Sequence, residues 1–205
     1  MDDAARARLE DEVRRLCGQG EITQAATRTV QGYGPQIYSF LVATCRHETE
    51  ASDAFSETTE RIWKGLPTFS WDASLRTWVY VVARNVTRNR GRNAARQERR
   101  APHAGESALD HVAQAVRTET HAFLRTETKT RLQALRDSLP EQDRALLILR
   151  VDRQLDWKEL ARVLGGEGDA LSDAALAKEA ARLRKRYQLL KERLRELAKK
   201  EGLIE

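Results

Sequence analysis

Two arginine-rich stretches are the residues of this chain best suited to chemistry, and that chemistry is the binding of phosphate. Seven arginines and one acidic residue stand between Arg84 and Arg100, and nine basic residues and two acidic ones between Arg182 and Lys200. Basic stripes are the electrostatic footprint of contact with a nucleic-acid backbone, although a single stripe can equally be a solvated helix face. From Met1 to Glu60, by contrast, eleven acidic residues outnumber six basic ones. An acidic front and two separate basic stripes imply two kinds of partner.

Other chemistry is harder to find. No nucleophile, base and orienting group occur as a recognisable set, which argues against an enzyme. His47, His103, His111 and His121 are scattered, and Cys45 with His47 does not make a zinc pattern. Gly165-Gly166-Glu167-Gly168 lacks the lysine and the preceding strand of a phosphate-binding loop. No cofactor and no metal are expected.

The chain has 205 residues and a formal net charge of +5, with 40% hydrophobic and 33% charged residues. That length suits one ordinary domain or two small ones. Four prolines and eleven glycines leave room for long helices. No run of apolar residues is long enough to span a membrane, and the N-terminal residues lack the order of a signal peptide. Two cysteines do not form a disulfide framework, so the expected setting is the cytoplasm.

These stripes need helices to carry them. Val13 and Leu16, then Ile37, Phe40, Leu41 and Cys45, recur at helical spacing, with Gly32-Tyr33-Gly34-Pro35 predicted as a break. A helix over about 50–66 buries Ala51, Ala54, Phe55 and Ile62, with Trp63 expected in the core, and presents Asp53, Glu57 and Glu60 as an acidic face. After the aromatic loop 69–74, Leu75, Trp78, Val79, Val82 and Val86 open a third helix that runs into the first arginine stretch. Residues 97–110 turn polar and small, as a linker does. Leu139-Pro140-Glu141 restarts a helix, Asp156 and Glu159 form a capping box, and Gly165-Gly166 stops the short helix they open. A long basic helix then runs from about Ser172 to Lys200. A capped short helix, a glycine turn and a basic helix form a helix-turn-helix pattern. The fold class is therefore all-α: two small helical domains joined by a flexible linker, the second a helix-turn-helix. The expected boundaries are 1–97, 98–124 and 125–205.

Two strings carry a resemblance. Ser74-Leu75-Arg76-Thr77-Trp78-Val79-Tyr80-Val81-Val82-Ala83-Arg84-Asn85 resembles the promoter-melting helix of the extracytoplasmic-function group of the sigma-70 family. Leu139-Pro140-Glu141-Gln142-Asp143-Arg144-Ala145-Leu146-Leu147-Ile148-Leu149-Arg150, with Trp157 to Ala161 and Leu164-Gly165, is similar to that family's C-terminal domain. The resemblance implies a sigma factor that binds core RNA polymerase, through its largest and second-largest subunits, and recognises promoter DNA. It leaves open regulation by an anti-sigma factor.

The polymerase-binding residues it implies are Asp53, Glu57, Glu60 and Arg61. An acidic helix agrees with this, since it would repel phosphate. Phe69, Trp71, Arg76, Tyr80, Arg84, Asn85, Arg88, Asn89 and Arg92 would engage the −10 element, with Arg90 adding charge. Holding an unpaired base calls for aromatic walls and a basic rim, and one stacked base contributes roughly 1–3 kcal/mol. Trp78 lies on the apolar face and reads as core, whereas Trp71 in the loop reads as surface. Lys178, Arg182, Arg184, Lys185 and Arg186 would contact the −35 element. One departure from the family pattern is the acidic insert Gly165 to Asp173, which separates the turn from the last helix. The rival readings are a stand-alone helix-turn-helix regulator and a decoy that occupies polymerase without reading promoters.

Overall fold

A computed structural model describes residues 2–45, 47–93, 108–126, 135–165 and 172–202. Every regular element among these residues is helical. The chain forms two compact units, Met1–Leu124 and Arg125–Glu205.

The first unit contains α1 (Asp3–Gly18), α2 (Ile22–Thr44), α3 (Glu48–Gly65), α4 (Leu75–Asn93) and α5 (Ala108–Thr126). Its centre is α2, which packs on α1, α3 and α4. Tyr33, Ile37, Phe40 and Leu41 of α2 are fully buried. Phe40 meets Tyr80 of α4 edge-on at 5.7 Å, and Tyr38 meets Phe55 of α3 at 5.3 Å.

The break predicted at Gly32–Pro35 does not occur, because α2 runs through it. Proline costs the helix a hydrogen bond, but the buried side chains on either side hold it in place. The glycines serve packing. A Cβ at Gly32 would lie 2.2 Å from Leu9 Cδ2 of α1, and one at Gly34 would lie 3.0 Å from Val116 Cγ1 of α5.

Of the stretch 98–124 expected to be a linker, residues 98–107 lie outside the described residues. Ala108 onward forms α5, which clusters with the first unit. Leu109, Ala113, Val116 and Thr120 are its buried stripe, at helical spacing.

The second unit contains α6 (Glu141–Leu147), which continues into a π-helical turn at Ile148–Asp152, then α7 (Trp157–Leu164) and α8 (Asp173–Lys200). The capping box is present: Asp156 Oδ1 accepts from Glu159 N–H, and Glu159 Oε2 accepts from Asp156 N–H, both at 2.8 Å. Ser172 caps α8 by accepting from Ala175 N–H at 3.2 Å. Between α7 and α8, Gly165 admits no side chain, since a Cβ there would lie 2.3 Å from Ala161 O and 2.9 Å from Glu179 Cγ. Residues 166–171 of the insert lie outside the described residues. Leu146, Leu149, Leu155, Leu160 and Leu183 are buried in this unit, with Leu190 packed on Leu139 and Leu147. Among the described residues no helix is long and apolar enough to cross a membrane, and no group of His, Cys, Asp and Glu is placed to hold a metal ion.

Candidate nucleic-acid interface

The loop between α3 and α4 is built by three local devices. Pro67 sits in a single 3₁₀ turn, Leu66–Thr68, that ends α3. Ser74 opens α4 by accepting from Thr77 N–H at 3.1 Å. Gly65 lets the Trp78 ring lie against the end of α3, where a Cβ would come within 2.9 Å of Trp78 Cζ2.

Within this frame the aromatics form a ladder. Trp71 and Phe69 are 4.7 Å apart, and Phe69 and Trp78 stack at 4.8 Å with an interplanar angle of 24°. Arg14 of α1 lies over the Trp71 ring at 4.7 Å. Trp71 has a φ of 62°, a left-handed conformation that costs a bulky residue energy and therefore has to be held by its contacts. A cleft of about 350 Å³ opens beside it, lined by Glu10, Asp11, Arg14, Trp71, Asp72 and Ser74.

Glu10 ties this cleft to the core. Its Oε1 accepts from the Tyr33 hydroxyl at 3.0 Å and from Arg76 N–H at 3.2 Å. Burial and the Glu10 carboxylate together hold the Tyr33 hydroxyl far above its ordinary range, so it remains a donor. The α1 residues were not singled out from the sequence, where nothing marks Arg14 apart from other arginines.

Three residues expected at the DNA surface are inside. Arg76 is 6% exposed, Arg84 5% and Tyr80 fully buried. The reason is that α4 packs over a wide face: besides the stripe of Leu75, Val79, Ala83 and Val86, the adjacent row of 76, 80 and 84 is also covered. Arg84 donates to Thr87 Oγ1 at 3.2 Å. Asn85, Arg88 and Asn89 are half-exposed, and the Arg92 side chain lies outside those described. Phe69 and Trp71 are half-buried, and Trp78 belongs to the ladder.

The acidic face of α3 is present, and its charges are engaged. Glu57 accepts from Arg61 of its own helix at 2.8 Å and from Arg90 of α4 at 3.2 Å. Asp53 accepts from the same Arg90, also at 3.2 Å. Glu60 pairs with Lys64. Trp63 is not in the core: it is 41% exposed, one turn beyond Glu60, where it adds a large apolar surface to the charged one.

In the second unit, Lys178, Arg182 and Lys185 lie exposed along α8, with Leu189 58% exposed one turn further on. Glu179 holds Arg182 through two hydrogen bonds. Arg186 instead donates to Asp143 at 2.6 Å and to Gln142 at 2.8 Å, bracing α8 against α6. Arg184 lies over Trp157 at 5.6 Å, with Arg150 over the same ring at 4.8 Å. Ion pairs hold Arg182 and Arg186 and the Trp157 ring carries Arg184, so three of the five cations expected to read DNA have partners within the unit.

Comparison with known proteins bears on this frame directly. Residues 29–97, which run from α2 through the ladder to beyond the end of α4, match the family described as Sigma-70 region 2. The chain is 27% identical to the RNA polymerase sigma-H factor of Pseudomonas aeruginosa over 136 residues, 64% of this chain and 70% of that protein. It is 26% identical to the RNA polymerase sigma factor YlaC of Bacillus subtilis over 164 residues, 78% of this chain and 90% of that one. It is also 27% identical to the probable RNA polymerase sigma factor RfaY of Xanthomonas campestris over 174 residues, 80% of this chain and 41% of that protein. An acidic helix, an aromatic ladder and an arginine-bearing helix share one frame within the residues that match Sigma-70 region 2, and over most of its length the chain is similar to RNA polymerase sigma factors.

Proposed function

We propose that the protein directs promoter-specific transcription initiation by placing three surfaces at three tasks. The acidic face of α3, with Trp63 beside it, binds core RNA polymerase. The ladder and the exposed side of α4 hold the separated strand at the −10 element, and α8 reads the −35 element through Lys178, Arg182 and Lys185. The task is binding and positioning, carried out in the cytoplasm where polymerase and DNA meet.

The observation that carries this reading is the ladder. Phe69, Trp71 and Trp78 are held in register by a helix cap and a glycine contact, beside a cleft large enough for a base. Stacking tolerates any base because every base has a π-face, and it contributes about 1–3 kcal/mol each time. Two to three turns further along α4, Asn85, Arg88 and Asn89 offer amides for base edges and a cation for phosphate.

Run-off transcription with core polymerase, with and without this protein, tests the reading. A transcript that depends on the protein is expected. Failure to bind core would overturn it. Intact core binding without transcript on any promoter would favour the polymerase-binding decoy, a reading helped by the internal engagement of Arg184 and Arg186.

A further inference from the structure

The ladder does not end at Trp71. Arg14 of α1 lies over its indole at 4.7 Å, so the row of contacts runs Arg14, Trp71, Phe69, Trp78. Helix α1 stands outside residues 29–97, the part of the chain that matches Sigma-70 region 2. Arg14 has carboxylates close at hand, since Glu10 and Asp11 lie one turn back on its own helix and Asp72 shares the cleft. Glu10 is engaged by the Tyr33 hydroxyl and Arg76 N–H. Among the described residues Arg14 makes no ion pair with any of them, and its guanidinium rests on the ring instead. Of the described residues that line the cleft, Arg14 is the one cation.

We infer that Arg14 holds the place of the captured base and then takes the phosphate that the base brings with it. A separation of 4.7 Å leaves no room for a base between guanidinium and indole, so a base that stacks there displaces Arg14. Stacking of a base on an aromatic outweighs a cation–π contact at a solvent-exposed site, so the exchange runs in favour of the base. The entering nucleotide carries its phosphate to a cleft edged by Asp11 and Asp72, which repel it. The displaced guanidinium is exposed and one turn from Asp11, where it offsets that repulsion. Arg14 is thus a positioning residue, contributed by a helix that the family match does not include. The inference rests on the reading of the ladder as the site that captures an unpaired base.

Two strands test it on the full-length protein bound to core RNA polymerase, with core alone as the blank. One is a fluorescein-labelled, 12-nucleotide single strand of mixed sequence. The other is the same strand with every base replaced by tetrahydrofuran, which keeps the phosphates. Binding is followed by anisotropy across a salt series. For wild type the base-bearing strand is expected to give a salt slope steeper by about 0.7, the value for one further phosphate contact on a single strand, because only a base releases Arg14. In R14Q the two slopes should coincide, and the base-bearing strand should bind several-fold more weakly while the abasic one binds as before. R14K keeps the charge and should restore the slope difference. If R14Q weakens binding but leaves the slope difference in place, Arg14 only steadies the ring and the inference is overturned. Wild type that prefers the base-bearing strand with equal slopes overturns the inference alone. Wild type that binds both strands with equal affinity removes base capture by the ladder, and the inference with it.

Discussion

Replacing Trp71 with alanine should damage strand separation far more than duplex binding. In the structure the indole contacts Phe69 at 4.7 Å and carries Arg14 at 4.7 Å. An aromatic pair contributes about 0.5–1.5 kcal/mol and an exposed cation–π contact about 0.5–1 kcal/mol, so the loop loses its order along with its ring. The lost stacking on a captured base adds about 1–3 kcal/mol, which alone is about 5- to 150-fold in the open-complex equilibrium. Alanine keeps the cost of the positive φ at this position, whereas glycine removes it. Trp71→Gly therefore separates loss of the ring from backbone strain, and Trp71→Phe should recover most of the function. The assay places 2-aminopurine in the −10 strand of a promoter that supports run-off transcription and reads its fluorescence as the strand opens. Duplex binding is read separately by mobility shift. Equal losses in opening and in duplex binding would refute the reasoning, as would a phenylalanine variant no better than alanine.

Other consequences follow from the same geometry. Glu60→Lys, on the exposed side of α3, should weaken core-polymerase capture about tenfold in a pull-down titration with only a small drop in melting temperature from loss of the Lys64 pair, since reversing an interface charge acts mainly on association. Lys185→Ala should lower the salt slope of duplex binding by about 0.9, whereas Arg186→Ala should lower the melting temperature and leave that slope largely intact. The reverse pattern would reassign the two cations. Val116→Asp puts a carboxylate against Gly34 and should speed amide exchange across 109–120 while α1 to α4 keep their protection. Asp156→Ala removes the cap of α7 and costs about 1 kcal/mol, a drop of about 4–8 °C for a domain of this size by calorimetry.

Where a signal in this chain is local, the sequence carries it to the residue. The Asp156–Glu159 box, the Ser172 cap and the start of α4 at Ser74 each depend on one side chain and the amide three residues on. The acidic face of α3 was legible for the same reason, because residues four apart share a helix face. What depends on tertiary contact was not. Gly32 and Pro35 carry the local marks of a break, yet α2 is held as one helix by the neighbours that approach its glycines. That α5 belongs to the first unit and not to a linker was hidden because its buried stripe includes Ala113 and Thr120, whose small and polar side chains do not mark a packing face. Tyr80, Arg76 and Arg84 looked available because one apolar stripe accounts for one face of α4, and only packing shows that a second row is covered too. Trp63 was misread in the opposite sense, since a tryptophan at helical spacing reads as core until its neighbours are known to be polar.

The ladder gives the protein an optical property. Two of its four tryptophans, Trp71 and Trp78, flank the same phenylalanine, and one of them lies under a guanidinium. Trp63 is open to solvent, and Trp157 sits under Arg150 and Arg184 in the other unit. A nucleobase that slides onto Trp71 exchanges a cation for a π-face and opens a quenching route for the excited indole. With Trp63 and Trp157 replaced by phenylalanine, the intrinsic emission would come from the ladder alone. The arrival of an unpaired base could then be timed by stopped-flow in unlabelled protein, with the light coming from the residue that does the capturing.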